Sequence, residues 1–288
     1  MERYQKTIAQ KVTLCGKGLH SDQVTRIDLS PAFPDTGLCF RHPGGDIFRA
    51  SGASIASTEL ATTIAHNASR IATVEHFLAA CGGLGITNLL IEVHGNEMPI
   101  LDGSAKDFYE LLAPHIVYQS SYADVLYVTK RFEWKVGSKW AVVEPAERLE
   151  ITGSIDWDHP AIGFQEFSYK DGVTDFSEIA SARTFGFLRD VERLRKAGLV
   201  QGGSLENAVV LDTARVINPE GLRYPDEFAR HKVLDALGDF QLAGAYICGR
   251  FRLYRAGHDL HARIVRDLLT VPGLTQHVRP LDAFVAVG

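Results

Sequence analysis

Two short segments of this 288-residue chain have residue types and spacing suited to holding a metal ion. The first is His231-Lys-Val-Leu-Asp235. On a helix, residues four apart share one face about one turn apart. An imidazole and a carboxylate so placed reach a single ion, although the same spacing serves equally well as a surface ion pair. Asp239, four residues further on, extends the same rough face. The second segment is Thr73-Val-Glu-His76. Helical neighbours differ by ~100° in direction, so Glu75 and His76 can flank one ion as a base and a ligand. A capping glutamate beside a half-exposed histidine is the plainer alternative. His258 and His261 follow Gly257. They fit a metal pair, an acid–base histidine with a bystander, or two solvated histidines. Ala182-Arg-Thr-Phe-Gly-Phe187 gathers a hydroxyl, a cation and two aromatics, which also describes an ordinary strand edge with core aromatics.

Other chemistries lack their residues. No GxGxxG follows a strand, so dinucleotide-dependent hydride transfer has no support, and no GxxxxGK[ST] loop is present for a nucleotidase. There is no GxSxG elbow for a serine nucleophile and no HExxH zinc motif. The formal net charge of -5 argues against nucleic acid as a partner. Four cysteines, Cys15, Cys39, Cys81 and Cys248, form no CxxC pair and read as reduced thiols. The N-terminal residues lack the apolar core of a signal peptide, and no run approaches the ~18 apolar residues that span a bilayer. The expectation is a cytoplasmic protein.

Hydrophobic content of 45% and charged content of 23% suit a globular enzyme. Glycine, proline and aspartate punctuate strand-like runs at Ile8–Leu14, Val24–Leu29 and Gly37–Phe40. Val74, Phe77, Leu78 and Cys81 recur at helical spacing and predict a helix over Thr73–Cys81, ended by Gly82-Gly83. Thr87–Val93 is a further strand. Ser104 and Asp107 form a capping-box start for a helix over Ala105–Leu112, which Pro114 stops. The polar stretch Gln119–Asp124 marks a domain boundary. Beyond it the pattern predicts strands at Val125–Trp134, Trp140–Glu144, Leu149–Ile155 and Tyr246–Tyr254. Helices are expected at Asp190–Ala197, Pro225–Leu242 and Ala262–Leu269. Strands precede helices in each half, so the expectation is α+β, with one domain over 1–122 and another over 123–288.

Taken together these motifs resemble the UDP-3-O-acyl-N-acetylglucosamine deacetylases, zinc amidases of bacterial lipid A synthesis. The resemblance covers nearly the whole chain. It runs through Gly16-Lys-Gly-Leu-His20, Thr73-Val-Glu-His76, Pro99-Ile-Leu-Asp-Gly-Ser-Ala105 and His159-Pro-Ala-Ile162. It continues through Ala182-Arg-Thr-Phe-Gly-Phe187, Gly202-Gly-Ser204, His231-Lys-x-x-Asp235 and Gly257-His258. It implies two similar domains, each with β-sheets packed against two helices, and an active site at the domain interface. His76, His231 and Asp235 match the family's zinc ligands, with iron(II) as the alternative ion. Glu75 matches the general base, His258 the second acid–base residue, Asp239 its orienting carboxylate and Thr184 the oxyanion hydroxyl. Lys232, Phe185 and Trp157 fall on the sugar-nucleotide side. Val191, Val200, Gly203, Leu205 and Val210 fall along an acyl-chain passage.

The implied reaction hydrolyses the N-acetyl group of an acylated UDP-amino sugar to the amine and acetate. The implied protein is a monomer with at most transient membrane contact and no nucleic-acid partner. A non-catalytic sugar-nucleotide-binding regulator is the alternative. One departure from the family is local: Ala61, Thr62 and Thr63 stand where some relatives carry cysteine.

Overall fold

The computed structural model describes residues 3–279. The ends of the two expected domains, 1–2 and 280–288, lie outside the described residues. The architecture is mixed α+β, with several sheets and six helices. The helices are α1 (Glu75–Leu84), α2 (Lys106–Leu112), α3 (Ser177–Ala180), α4 (Leu188–Lys196), α5 (Glu227–Phe240) and α6 (His258–Thr270).

A five-stranded sheet is drawn from residues 12–93. Its order is Val12–Lys17, Val24–Pro31, Leu89–Val93, Leu38–Arg41, Phe48–Arg49. Alternation sets its faces: Leu89, Ile91 and Val93 are buried while the residues between them are only half-buried. A seven-stranded sheet is drawn from residues 125–278. Its spine is Tyr246–Tyr254, which pairs in parallel with Val125–Val128 and Leu149–Trp157 and antiparallel with Lys139–Glu144. Small sheets complete the fold. Tyr4–Ile8 pairs with Ile116–Tyr122, and Phe185–Phe187 pairs in parallel with Val209–Leu211.

α1 and α5 lie against each other, and both are almost wholly buried. One apolar cluster runs from Ile27, Leu29 and Ile91 of the first sheet to Trp134, Ile151 and Phe251 of the second, with Phe77, Leu78, Leu234 and Leu237 of the two helices inside it. α5 carries an unusual stripe. Glu227, His231, Asp235 and Asp239 recur every four residues, and all four are buried. Burying ionisable groups is costly unless each is paired or holds an ion, so this stripe already marks the site.

Several elements differ from the sequence pattern for identifiable reasons. The expected strand Ile8–Leu14 is two strands, because its halves bond different sheets. Val125–Trp134 is interrupted between Val128 and Phe132, because its two parts pair with different strands of the seven-stranded sheet. Most of the polar stretch 119–124 is strand, the end of Ile116–Tyr122 paired back on Tyr4–Ile8. No capping box forms at Ser104. Its Oγ donates to Asp102 Oδ1 at 2.6 Å and accepts from the Lys106 N–H at 3.2 Å instead of that of Asp107, and α2 starts at Lys106. α6 begins four residues before the expected Ala262, with Gly257 as its N-cap. His258 and His261 therefore occupy its first turn.

The α1–α5 contact is close at Gly238. A Cβ there would lie 2.0 Å from the Glu75 carbonyl oxygen. Alanine normally favours a helix over glycine by about 1 kcal/mol. Overpacking of this kind costs about 1–3 kcal/mol or more, so the steric effect should win. Gly238→Ala should therefore lower stability in a denaturant titration, with the midpoint moving down rather than up.

Candidate metal centre

His76 sits in the first turn of α1, and His231 and Asp235 sit one turn apart on α5. All three are buried. Their ligand atoms converge: Asp235 Oδ1 lies 3.3 Å from His231 Nε2 and 3.6 Å from His76 Nε2. The two rings meet edge to face with centroids 5.0 Å apart. His231 Nδ1 donates to the Ala182 carbonyl at 3.0 Å. That bond turns Nε2 toward Asp235, the usual second contact of a metal-binding histidine. Asp235 Oδ2 accepts from Lys232 Nζ at 2.7 Å. Asp235 Oδ1 is buried and has no hydrogen-bond partner among the described residues. A bare carboxylate oxygen facing two imidazole nitrogens is an arrangement that a cation satisfies.

Electrostatics favour the same protonation state. Burial holds the His231 imidazole far below its usual range, at about 3, so its nitrogen is free to ligate. Burial opposes ionisation of Asp235, but His231 and Lys232 outweigh it and hold the carboxyl well below the usual range. Two imidazoles and one carboxylate match a catalytic zinc set that leaves an open position.

A second chain of polar groups starts beside His76. Burial raises the Glu75 carboxyl above its ordinary value. Its Oε2 accepts from the Thr62 backbone N–H at 3.0 Å, and its Oε1 lies 3.8 Å from His258 Nε2. His258 Nδ1 donates to Asp239 Oδ2 at 2.7 Å. Burial works against the imidazolium, but the Asp239 carboxylate and then Glu75 lift His258 to about 10. Asp239 is held down at about 2, since His258 and its other donors outweigh the burial that would raise it. Asp239, His258 and His261 also form a group of ligand-type atoms. Both Nδ1 atoms there already lie within hydrogen-bond distance of one Asp239 oxygen, so the cation fits better at Asp235.

Of the remaining expected residues, Phe185, Trp157 and Lys232 gather beside His231. Phe185 packs edge to face on Phe228 at 4.9 Å, on Trp157 at 5.4 Å and on His231 at 6.4 Å. Lys232 Nζ stands over the Phe185 ring at 5.3 Å. Thr184 is fixed through its backbone, donating to Gly103 O at 2.7 Å and accepting from Val209 N at 2.8 Å. Gly103 has a φ of +83°, and a Cβ there would lie 2.0 Å from the Asn207 carbonyl oxygen. Only glycine suits that turn. The acyl-passage residues are spread over several elements. Val200 lies against Gly203, whose added Cβ would be 2.4 Å from Val200 Cγ1. Val191 is on α4, which buries none of its residues. Val210 is on the strand beside Phe185–Phe187. Leu205 is exposed.

Several contributors have partners that the spacing does not reveal. Thr62 touches both acidic groups, its N–H on Glu75 and its Oγ1 on Asp239 Oδ1 at 2.5 Å. Arg183 and Glu227 form a buried ion pair, 2.9 Å from Nε to Oε1, that ties the 182–187 segment to the start of α5. His261 donates to Asp239 Oδ2 at 2.8 Å.

Comparison with known proteins gives a family. The model of the LpxC family, UDP-3-O-acyl N-acetylglycosamine deacetylase, matches residues 5–270. The UDP-3-O-acyl-N-acetylglucosamine deacetylase of Lawsonia intracellularis is 44% identical over 268 residues, covering 92% of this chain and 88% of the relative. That of Myxococcus xanthus is 42% identical over 275 residues, covering 93% and 87%. That of an Anaeromyxobacter species is 42% identical over 278 residues, covering 96% and 91%.

The two candidate groups are separable by metal content. Elemental analysis should find an ion that is lost in His231→Ala and Asp235→Ala but retained in His261→Asn. Retention in the first two variants and loss in the third would move the site to Asp239.

Proposed function

We propose a catalytic centre for this chain, which belongs to the family of UDP-3-O-acyl N-acetylglycosamine deacetylases and is a deacetylase of lipid A biosynthesis. The centre is the interhelical cluster of α1, α5 and α6, where His76, His231 and Asp235 would hold zinc. The observation that carries this reading is the unpartnered Asp235 Oδ1 between two imidazoles, beside a Glu75–His258–Asp239 chain. Zinc held there supplies Lewis acidity toward the acetyl carbonyl and eases ionisation of water.

The protein groups do the proton work. Glu75 is a buried carboxylate with a raised pKa, suited to take a proton from the attacking water. His258 is held cationic by Asp239. It stabilises negative charge and protonates the leaving amine. The Thr184 hydroxyl donates to the developing oxyanion. Acetate and the free amino sugar are the products. Phe185, Trp157 and Lys232 form the sugar-nucleotide side, with the lysine suited to a phosphate or sugar oxygen and the indole to the base. Val191, Val200, Gly203, Leu205 and Val210 line the path of the 3-O-acyl chain.

Two similar domains, 1–122 and 123–288, accompany this reading, each with sheets packed on two helices and the site at their interface. The separate origins of the two large sheets support it, as does the placement of α1 before residue 122 and of α5 and α6 after it. Among the described residues no helix is long and apolar enough to cross a membrane. We place the protein in the cytoplasm as a monomer, touching the bilayer only transiently and binding no nucleic acid. The alternative of a non-catalytic regulator gives way to the deacetylase family.

The pH dependence of turnover tests the two proton-handling groups. Glu75 acts as the anion, so activity should rise with pH through its elevated pKa. His258 acts as the cation, so activity should fall as pH climbs through its value of about 10. Glu75→Ala should lose roughly 10²-fold or more in kcat while metal content stays unchanged. Wild-type turnover in that variant would remove Glu75 from the role of base.

A further inference from the structure

His261 is a buried ionisable group beside this centre that the mechanism leaves unused. Its side chain is 1% exposed. Nδ1 donates to Asp239 Oδ2 at 2.8 Å. Nε2 is buried and has no hydrogen-bond partner among the described residues, and the ring stands edge to face with Phe240, centroids 5.9 Å apart. An unsatisfied buried nitrogen costs stability. A leucine in the same apolar surroundings would avoid that cost, so packing alone does not account for a histidine here. What the histidine adds is the bond to Asp239.

That bond alters what Asp239 offers to His258. One carboxylate oxygen, Oδ2, receives both imidazoles, at 2.7 Å from His258 and 2.8 Å from His261. The two rings stand perpendicular with centroids 6.2 Å apart, so they approach the oxygen from different sides. Oδ1 is held separately by Thr62 Oγ1. Three donors on two oxygens fix the carboxylate rotamer. They also divide its charge, because every extra donor weakens what the others receive. The groups facing His258 are Asp239 and Asp235 from α5, Glu75 from α1 and His261 from its own helix. Those facing His261 are Asp239 from α5, and His258 and Asp259 from its own helix. All the acidic groups around His258 favour the cation. His261 is the group that draws Asp239 back.

We propose that His261 is a positioning residue for deacetylation, holding Asp239 by its Nδ1–H so that His258 is oriented yet still gives up its proton. The proposal rests on the assignment of His258 as the acid. Without His261, Oδ2 belongs to His258 alone. The imidazolium then keeps its proton more tightly and is a weaker acid toward the leaving amine.

The experiment compares His261→Leu, His261→Asn and His261→Gln by kcat, KM and the pH profile of the metal-loaded enzyme, with thermal midpoints alongside. Asparagine places an amide N–H near the position of Nδ1, whereas glutamine places it near Nε2, away from Asp239. His261→Leu should lower kcat by about tenfold with KM nearly unchanged. It should move the alkaline limb upward by about half a pH unit or more. His261→Asn should recover most of the rate and return the limb toward wild type, while His261→Gln should resemble leucine. If the leucine variant does not fold, the asparagine–glutamine pair carries the same contrast. The proposal is overturned if asparagine and glutamine are equally impaired, or if every limb stays in place and only the thermal midpoint falls. His258→Ala keeps the two assignments apart. If that substitution is silent, the acid itself is wrong. If it abolishes turnover while the His261 variants match wild type, only the positioning role is lost.

Discussion

The closeness of two helices governs this structure. α1 and α5 meet where Gly238 leaves no side chain between them, against the Glu75 carbonyl. One additional carbon would push the helix axes apart. The separation sets how far apart His76 and Asp235 stand, because one ligand comes from each helix. A metal-type triangle whose ligand atoms all lie within 4.8 Å of one another tolerates little displacement. The glycine therefore acts on the chemistry through distance, without touching any reacting group.

Close contact creates an electrostatic problem, since Glu75, Asp235 and Asp239 are all buried at the same crossing. Three carboxylates in an apolar interior are sustainable only with compensating positive charge or donors. Each has a different solution. Asp235 has Lys232 on one oxygen and faces two imidazoles with the other. Asp239 has a hydroxyl and two imidazoles. Glu75 has one backbone N–H and a distant His258. The least compensated of the three is the one whose pKa is raised, and it is the group assigned to move protons. The uneven distribution of partners thus gives three carboxylic acids different electrostatics, as the proposed roles of base, ligand and orienting anion require.

The sequence pattern reached this site unevenly. The α5 stripe was legible because helical ligands recur every four residues within one element. α1 was legible from its apolar spacing. The α6 start was not, because Gly257 is the sole terminator and no Ser, Thr, Asp or Asn precedes the first turn. That shift joined His261 to the site. Thr62 was also out of reach. Its bonds run to Glu75 and, 177 residues away, to Asp239, and spacing carries no information about such a distant partner. Strand breaks failed for the same reason, since pairing depends on partners elsewhere in the chain. The resemblance supplied roles for Glu75, His76 and His258 that periodicity alone left open.

The 182–187 segment shows how such distant links accumulate. Arg183 and Glu227 are both almost fully buried, and a pair of this kind contributes little net stability against well-packed apolar side chains. Its value is positional. Glu227 also accepts the Arg183 backbone N–H at 3.0 Å and the Arg223 N–H at 2.6 Å. The first residue of α5 thereby fixes the backbone of Ala182 and Thr184 on either side of Arg183. Ala182 offers the carbonyl that orients His231, and Thr184 and Phe185 follow, with the Phe185 ring against that histidine. One carboxylate at the head of α5 sets the aim of a ligand on the next turn and the place of the segment assigned to bind substrate. The ion pair is better understood as the alignment device of the site than as a support of the fold.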